Sequence, residues 1–218
     1  MSRPLLITDC DEVLLHMVSH FGQWLDEAHD VDFAMTGADF SNALKKRACG
    51  TPLTRDQVWP LLDGFFATEM HRQTLVPGAR EALAALGEAA DVVVLTNLGD
   101  HNNAARVAQL AAHGINLRVE TNQGGKGGPV ARLVEEYAPS VTVFVDDLPQ
   151  HHESVARHAP SVFRLHMIAE PTLAGHMPPA THAHARIDDW VDAQVWIAAR
   201  FAGEPLEGLT APATGALT

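Results

Sequence analysis

Asp9-Cys10-Asp11-Glu12-Val13 follows the apolar run Leu5-Leu6-Ile7 and puts two carboxylates two positions apart where a buried strand should end. A strand alternates its side chains between faces, so Asp9 and Asp11 are expected to start on one side and Cys10 on the other. Like charges that close need a compensating cation, and a carboxylate pair so held can divide the work of nucleophile and general acid/base. Taken alone the fragment also reads as an Asx-type turn leaving a strand. Three further polar signatures fall at or just beyond strand ends: Thr96-Asn97, Lys126 within Gly124-Gly125-Lys126-Gly127-Gly128-Pro129, and Asp146-Asp147. Each has a plain explanation: a strand-to-loop turn, a solvated loop charge, and a cap for the helix around Glu153. Their joint placement favours convergence in one crevice.

The elements that must position these residues can be read from periodicity. Val92-Val93-Val94-Leu95 and Val141 to Val145 read as strands buried on both faces, with a weak strand at Leu117 to Val119 and a short one at Val162 to Leu165. Helical stripes are supplied by Val18, Phe21, Leu25 and Ala28, by Leu61, Leu62, Phe65, Phe66 and Met70 after Trp59-Pro60, and by Ala79, Leu83 and Leu86 after Val76-Pro77-Gly78. Further helices are expected over Asn103 to His113, through Val130, Leu133, Val134 and Tyr137, and from about Asp189. Alternating strands and helices predict an α/β fold with a doubly wound parallel sheet, whose ligands bind outside the carboxyl ends of the strands. The expected organisation is an α/β core over 1–15 and 76–202, a helical insert over 16–75, and a flexible tail over 203–218, where large apolar residues are scarce.

With 27 Asp and Glu against 15 Lys and Arg, the chain is a poor partner for nucleic acid or anionic membrane surfaces. A small anionic substrate is still compatible, because local cations can outweigh the global field inside a cleft. Cys10 and Cys49 are too few for a disulfide framework, and neither a secretory leader nor a membrane-length apolar window is present, so a cytoplasmic location is expected. The sequence carries no signal of oligomeric state.

The ordered signatures resemble the haloacid dehalogenase-like hydrolase superfamily, whose pattern is an apolar strand and Asp-x-Asp, a strand and Thr or Ser, a Lys, and a strand with a paired acid. Leu75-Val76-Pro77-Gly78 before a helix resembles the start of that superfamily's second unit, and the insert resembles a small helical cap. The resemblance implies a phosphatase in which Asp9 attacks phosphorus to form an aspartyl-phosphate and Asp11 acts as general acid and base. It further implies that Thr96, Asn97 and Lys126 bind the phosphoryl group, and that Mg2+ is held by Asp9, the backbone carbonyl of Asp11, Asp147 and Asp146. Dehalogenating relatives lack an acid at the position of Asp11, which favours phosphate-ester hydrolysis of a small phosphorylated metabolite. Glu12 departs from a common Gly and His151 from a common Asp or Asn, and weaker metal binding or a more pH-dependent rate is expected from the latter.

Rival readings attach to particular residues. Phosphoryl mutase or phosphonate chemistry would use the same scaffold, the latter with a Schiff-base lysine for which Lys45 and Lys46 are the lysines at hand. A binding or regulatory module without turnover is motivated by Glu12 and His151. His182-x-His184 has ligand-like spacing but reads more simply as a loop. Cys10 is a poor nucleophile between carboxylates, which suppress a thiolate. Trp190 and Trp196 read as packing, and His16, Met17, His20 and the loop over 50–53 are the candidates to meet a leaving group.

Overall fold

The computed structural model describes residues 2–34 and 43–206. In chain order its first elements are β1 (Leu5–Thr8), β2 (Leu15–His16), α1 (Val18–Ala28), β3 (Val31–Phe33), β4 (Leu44–Lys46), α2 (Arg55–Thr68), a 3-10 turn (Met70–Arg72) and β5 (Thr74–Leu75). There follow α3 (Ala79–Ala89), β6 (Asp91–Asn97), α4 (Asn103–Ala112), β7 (Arg118–Asn122), α5 (Gly127–Tyr137), β8 (Thr142–Asp146), α6 (Pro149–His158), β9 (Phe163–His166), α7 (Pro171–Ala174), β10 (Ala185–Arg186) and α8 (Trp190–Phe201).

Six strands form one parallel sheet in the order β10-β9-β8-β1-β6-β7. Alternation along the strands divides the core in two. Leu6, Val94, Val143, Val145 and Leu165 pack with Ala79, Leu83 and Leu86 of α3, Leu110 of α4, and Trp190, Ala193 and Ile197 of α8. Leu5, Ile7, Val93, Leu95 and Phe144 pack on the opposite face with Val130 and Leu133 of α5 and Val155 of α6. The expected doubly wound α/β arrangement is therefore present, with β1 at the centre between β6 and β8. Trp190 is fully buried and its indole N–H donates to the Val13 carbonyl at 2.8 Å, pinning the loop that carries the acidic pair.

The segment between β2 and β5 has an apolar core of its own, in which Phe21, Trp24 and Leu25 of α1 meet Val58 and Phe65 of α2. It is not purely helical, because Val31, Leu44 and their neighbours form an antiparallel pair, β3 with β4. α2 begins before the expected start after Pro60: Thr54 precedes it and receives the Gln57 side chain on its backbone N–H at 3.1 Å. β7 starts one residue after the start of the expected strand at 117–119 and runs on to Asn122. Pro77 precedes the Gly78 that starts α3, where φ is 80°, a left-handed conformation open to glycine. Of the expected tail, 207–218 lie outside the described residues. Among the described residues no helix is long and apolar enough to cross a membrane.

Two histidines brace β8 and β9. His152 Nε2 donates to the Asp146 carbonyl at 2.9 Å, and its ring lies 5.6 Å from Phe144 and 5.4 Å from His166. His166 donates from Nε2 to the Asp147 carbonyl at 2.8 Å and accepts the Ala180 N–H on Nδ1 at 3.1 Å. Burial pushes the His152 pKa from 6.5 down to about 4, and that of His166 down as well. A histidine neutral in the folded state and protonated more readily in the unfolded one contributes stability that is complete above about pH 6.5 and lost as pH falls toward 4. The expected loss from His152 is up to about 3 kcal/mol across that window. Urea unfolding at a series of pH values measures it, and a His152→Gln variant with the same slope as the parent would contradict this origin.

Candidate active site

β1 pairs with β8 through Thr8 and Val145, so the residues that follow, Asp9 and Asp146, emerge side by side at the carboxyl end of the sheet. The Asp9 N–H continues the ladder to the Val145 carbonyl at 2.8 Å. Beyond it the chain turns: the Cys10 carbonyl accepts from the N–H groups of Leu14 at 2.8 Å and Leu15 at 2.9 Å. Cys10 packs in the cluster of Leu6, as strand alternation expects, and the two acids on either side of it have different partners. Each carboxylate is turned to its own cation.

Asp9 meets Lys126. The Lys126 ammonium is fully buried and lies 2.8 Å from Asp9 Oδ1 and 2.6 Å from Asp146 Oδ2. A solvated loop lysine is thereby excluded. Lys126 immediately precedes α5, which runs so close to α6 that a side chain at Gly127 would meet the Ser154 carbonyl at 2.2 Å. The Gly127 N–H donates to the Ser154 hydroxyl at 3.0 Å. The glycine thus lets the helix seat the lysine under the strand ends.

Asp9, Asp146 and Asp147 each bring a carboxylate oxygen within 4.8 Å of the others. Burial is the main cause that raises the Asp9 pKa to about 7, with Asp146 adding to it and Lys126 opposing. Burial next to Asp146 and Asp9 also holds Asp147 well above the usual carboxylate range. Burial would lower the Lys126 pKa, but Asp146 and Asp9 outweigh it and the ammonium is stabilised; Lys126 in turn outweighs burial at Asp146 and lowers its pKa. One ammonium is insufficient for three clustered carboxylates. The residual negative charge and all-oxygen donors fit a hard divalent cation such as Mg2+.

Asp11 meets Arg106 instead. Arg106 Nη2 lies 2.9 Å from both Asp11 oxygens, Gln73 Nε2 donates to Oδ1 at 2.6 Å, and the Thr96 hydroxyl lies 3.4 Å from Oδ2. The guanidinium, fully buried, also donates from Nη1 to Gln73 Oε1 at 3.1 Å, Gln109 Oε1 at 3.0 Å and Cys10 Sγ at 3.3 Å. Gln109 reaches the Met70 carbonyl. Core and insert thus share one polar network. The Asp11 side chain is not part of the group formed by Asp9, Asp146 and Asp147. Sequence reasoning missed Arg106 and Gln73. The available signal was a lone cation one turn before Leu110, on the buried stripe of an alanine-rich helix.

Thr96 is buried near the end of β6, and Asn97, its last residue, is exposed. Asn97 Nδ2 donates to the Gly124 carbonyl at 2.9 Å and faces His151 Nε2 at 3.3 Å, while its Oδ1 accepts from Asn122 at 2.9 Å. It ties the glycine-rich loop to the sheet. His151 is buried, which lowers its pKa, and stands outside the carboxylate group. Glu12 occupies a left-handed conformation with φ of 59°, the reason a Gly suits this position. The strain costs a non-glycine residue about 1–2 kcal/mol. An offset comes from Glu12 Oε1, which accepts the N–H groups of Met17 at 2.7 Å and Val18 at 2.5 Å at the start of α1.

The rival features are explained by packing. Burial drives the Cys10 thiol pKa up despite Arg106, leaving no thiolate. His184 Nδ1 accepts the Arg164 N–H at 3.0 Å, joining β9 to the chain before β10. Lys45 and Lys46 are exposed on β4.

Replacing Lys126 with Met leaves Asp9 and Asp146 buried without their cation, a change expected to cost about 3–5 kcal/mol in metal-free protein. Added Mg2+ should recover part of that loss. Thermal melting with and without Mg2+ checks this, and an equal deficit in both conditions would count against cation sharing among these carboxylates.

No protein-family model and no curated protein matches the chain. Solved structures do match over most of their length. A predicted phosphoglycolate phosphatase from Haemophilus somnus is 17% identical with a TM-score of 0.62, covering 89% of this chain and 97% of that one. A haloacid dehalogenase-like family hydrolase from Streptococcus pneumoniae is 11% identical with a TM-score of 0.59, covering 88% and 97%. A HAD-hydrolase from Bacillus subtilis described as bound to magnesium is 12% identical with a TM-score of 0.61, covering 90% and 99%. At such identities the likeness is one of architecture, and the fold of this chain is that of the haloacid dehalogenase-like hydrolases.

Proposed function

We propose that the chain is a Mg2+-dependent phosphatase that hydrolyses a small phosphorylated metabolite through an aspartyl-phosphate on Asp9. The observation that carries this reading is the buried bridge from Lys126 to Asp9 and Asp146, with Asp147 beside it, at the carboxyl ends of the central strands. The phosphatase and magnesium named for the structural neighbours support the same choice. Asp9, Asp146 and Asp147 would hold the ion, with the Asp11 carbonyl as the fourth protein ligand. When bound, Mg2+ neutralises charge on the phosphate and lets a carboxylate approach it.

Asp9 Oδ1 is engaged by the Cys10 N–H at 2.7 Å and by Lys126, so Oδ2 is the oxygen free to attack phosphorus. Lys126 supplies fixed positive charge as negative charge shifts in the transition state. The Thr96 hydroxyl and the backbone near Asn97 hydrogen-bond the phosphoryl oxygens. Asp11 protonates the leaving oxygen and then takes a proton from the attacking water. Arg106 and Gln73 position it, and because Gln73 belongs to the end of the insert, the placement of the insert bears on the acid/base group. Lys45 and Lys46 are exposed, whereas a Schiff-base amine needs desolvation, so phosphonate chemistry is not favoured. The helix-capping role of Glu12 gives that departure a structural reason, so it does not by itself favour a module without turnover.

Phosphate release from an aryl phosphate, with and without Mg2+, tests the reading. Release should require the ion and fall at least about a thousandfold in Asp9→Asn. A metal-independent rate unaffected by Asp9→Asn would refute it. Arg106→Lys, whose single donor nitrogen cannot bond Asp11 while also holding Gln73 and Gln109 as the two Arg106 nitrogens do, should lower kcat with little change in KM if Arg106 acts by positioning Asp11. Steady-state kinetics on the same ester read this split, and a rise in KM alone would assign Arg106 to substrate binding.

A further inference from the structure

Outside the site already described, Glu12, His16 and Glu170 each place a ligand atom within 4.8 Å of the others. Both carboxylates use one oxygen locally and present the other to this group. Glu12 Oε1 accepts the Met17 and Val18 N–H groups at 2.7 and 2.5 Å, and Glu170 Oε1 accepts the Thr172 N–H at 3.3 Å and its hydroxyl at 2.9 Å. Glu12 is only 2% exposed, and its Oε2 has no hydrogen-bond partner. His16 Nδ1 is likewise buried and unpartnered, and stands 3.9 Å from Glu170 Oε2, beyond hydrogen-bonding reach. Buried polar atoms left unsatisfied destabilise the fold, and one cation would satisfy all three groups.

We propose that Glu12, His16 and Glu170 form a second divalent metal site, of a kind suited to Zn2+ rather than Mg2+. An imidazole with two carboxylates is a borderline donor set that zinc accepts, whereas Mg2+ prefers oxygen alone. Around a tetrahedral zinc, with ligand lengths of about 2.0–2.2 Å, donor atoms stand roughly 3.3 Å apart, so a modest closing of the three side chains suffices. Water takes the fourth position. The ligands come from separate segments: the turn after β1, strand β2 at the root of the insert, and the residue before α7. The ion would tie the root of the insert to the chain following β9. This inference does not depend on the hydrolase reading.

The test uses full-length protein stripped of metal, supplied with excess Mg2+ for the all-oxygen group, and titrated with Zn2+ against a chromogenic chelator strong enough to outcompete scattered surface histidines. One Zn2+ per chain is expected. Affinity should fall by roughly a hundredfold or more in both His16→Gln and Glu170→Gln, a larger loss than is usual for residues that merely support a ligand. Asp147→Asn should retain the zinc. Glu12 is left intact because it starts α1, and the melting temperatures of the two variants without Zn2+ establish that they fold. Absence of a tight zinc in the parent, parental affinity in both variants, or loss of zinc in Asp147→Asn alone would each overturn the proposal.

Discussion

The buried ammonium of Lys126 between Asp9 and Asp146 is the interaction around which the rest of this molecule is arranged. Three acidic side chains gathered at the end of a sheet repel one another in a medium that screens poorly. The lysine lowers that repulsion, and its placement requires the close approach of α5 to α6 that Gly127 permits. The sheet order contributes equally. Because β1 lies beside β8, residues remote in sequence leave the sheet as neighbours, and a charge cluster that no local segment could assemble becomes a consequence of strand pairing.

The two acids after β1 have separate electrostatic environments. Asp9 belongs to a group with excess negative charge, in which burial raises its pKa to about 7, while Asp11 is engaged by a buried guanidinium and two polar side chains. Separate environments let paired carboxylates hold different protonation states, which the proposed division into nucleophile and proton carrier requires. The separation lies in their partners, Lys126 for Asp9 and Arg106 for Asp11.

Much of this was legible from residue order. Uninterrupted β-branched runs such as Val92–Leu95 and Val141–Val145 have few alternatives to a sheet buried on both faces, and polar residues at their ends mark where such sheets bind ligands. Asp9, Lys126, Asp146 and Asp147 were identified on that basis and do come together. Arg106 escaped because a cation inside an alanine-rich helix has no local pattern that tells burial from exposure; its partner Asp11 is distant in sequence. Gln73 was hidden for the same reason. The β3–β4 pair was missed because each strand has three residues and Lys45-Lys46 resembles a solvated turn, so only contacts within the insert select it. Pro60 misplaced the start of α2, where the reciprocal Thr54–Gln57 arrangement fixes the boundary earlier.

The hydrogen bond from Trp190 to the Val13 carbonyl joins the last described helix to the turn that follows Asp9 and Asp11. During synthesis that turn is made before five of the six sheet strands, and its anchor arrives only after all of them. A nascent chain therefore carries its acidic residues before it has a crevice to hold them, and completion of the pocket waits for α8.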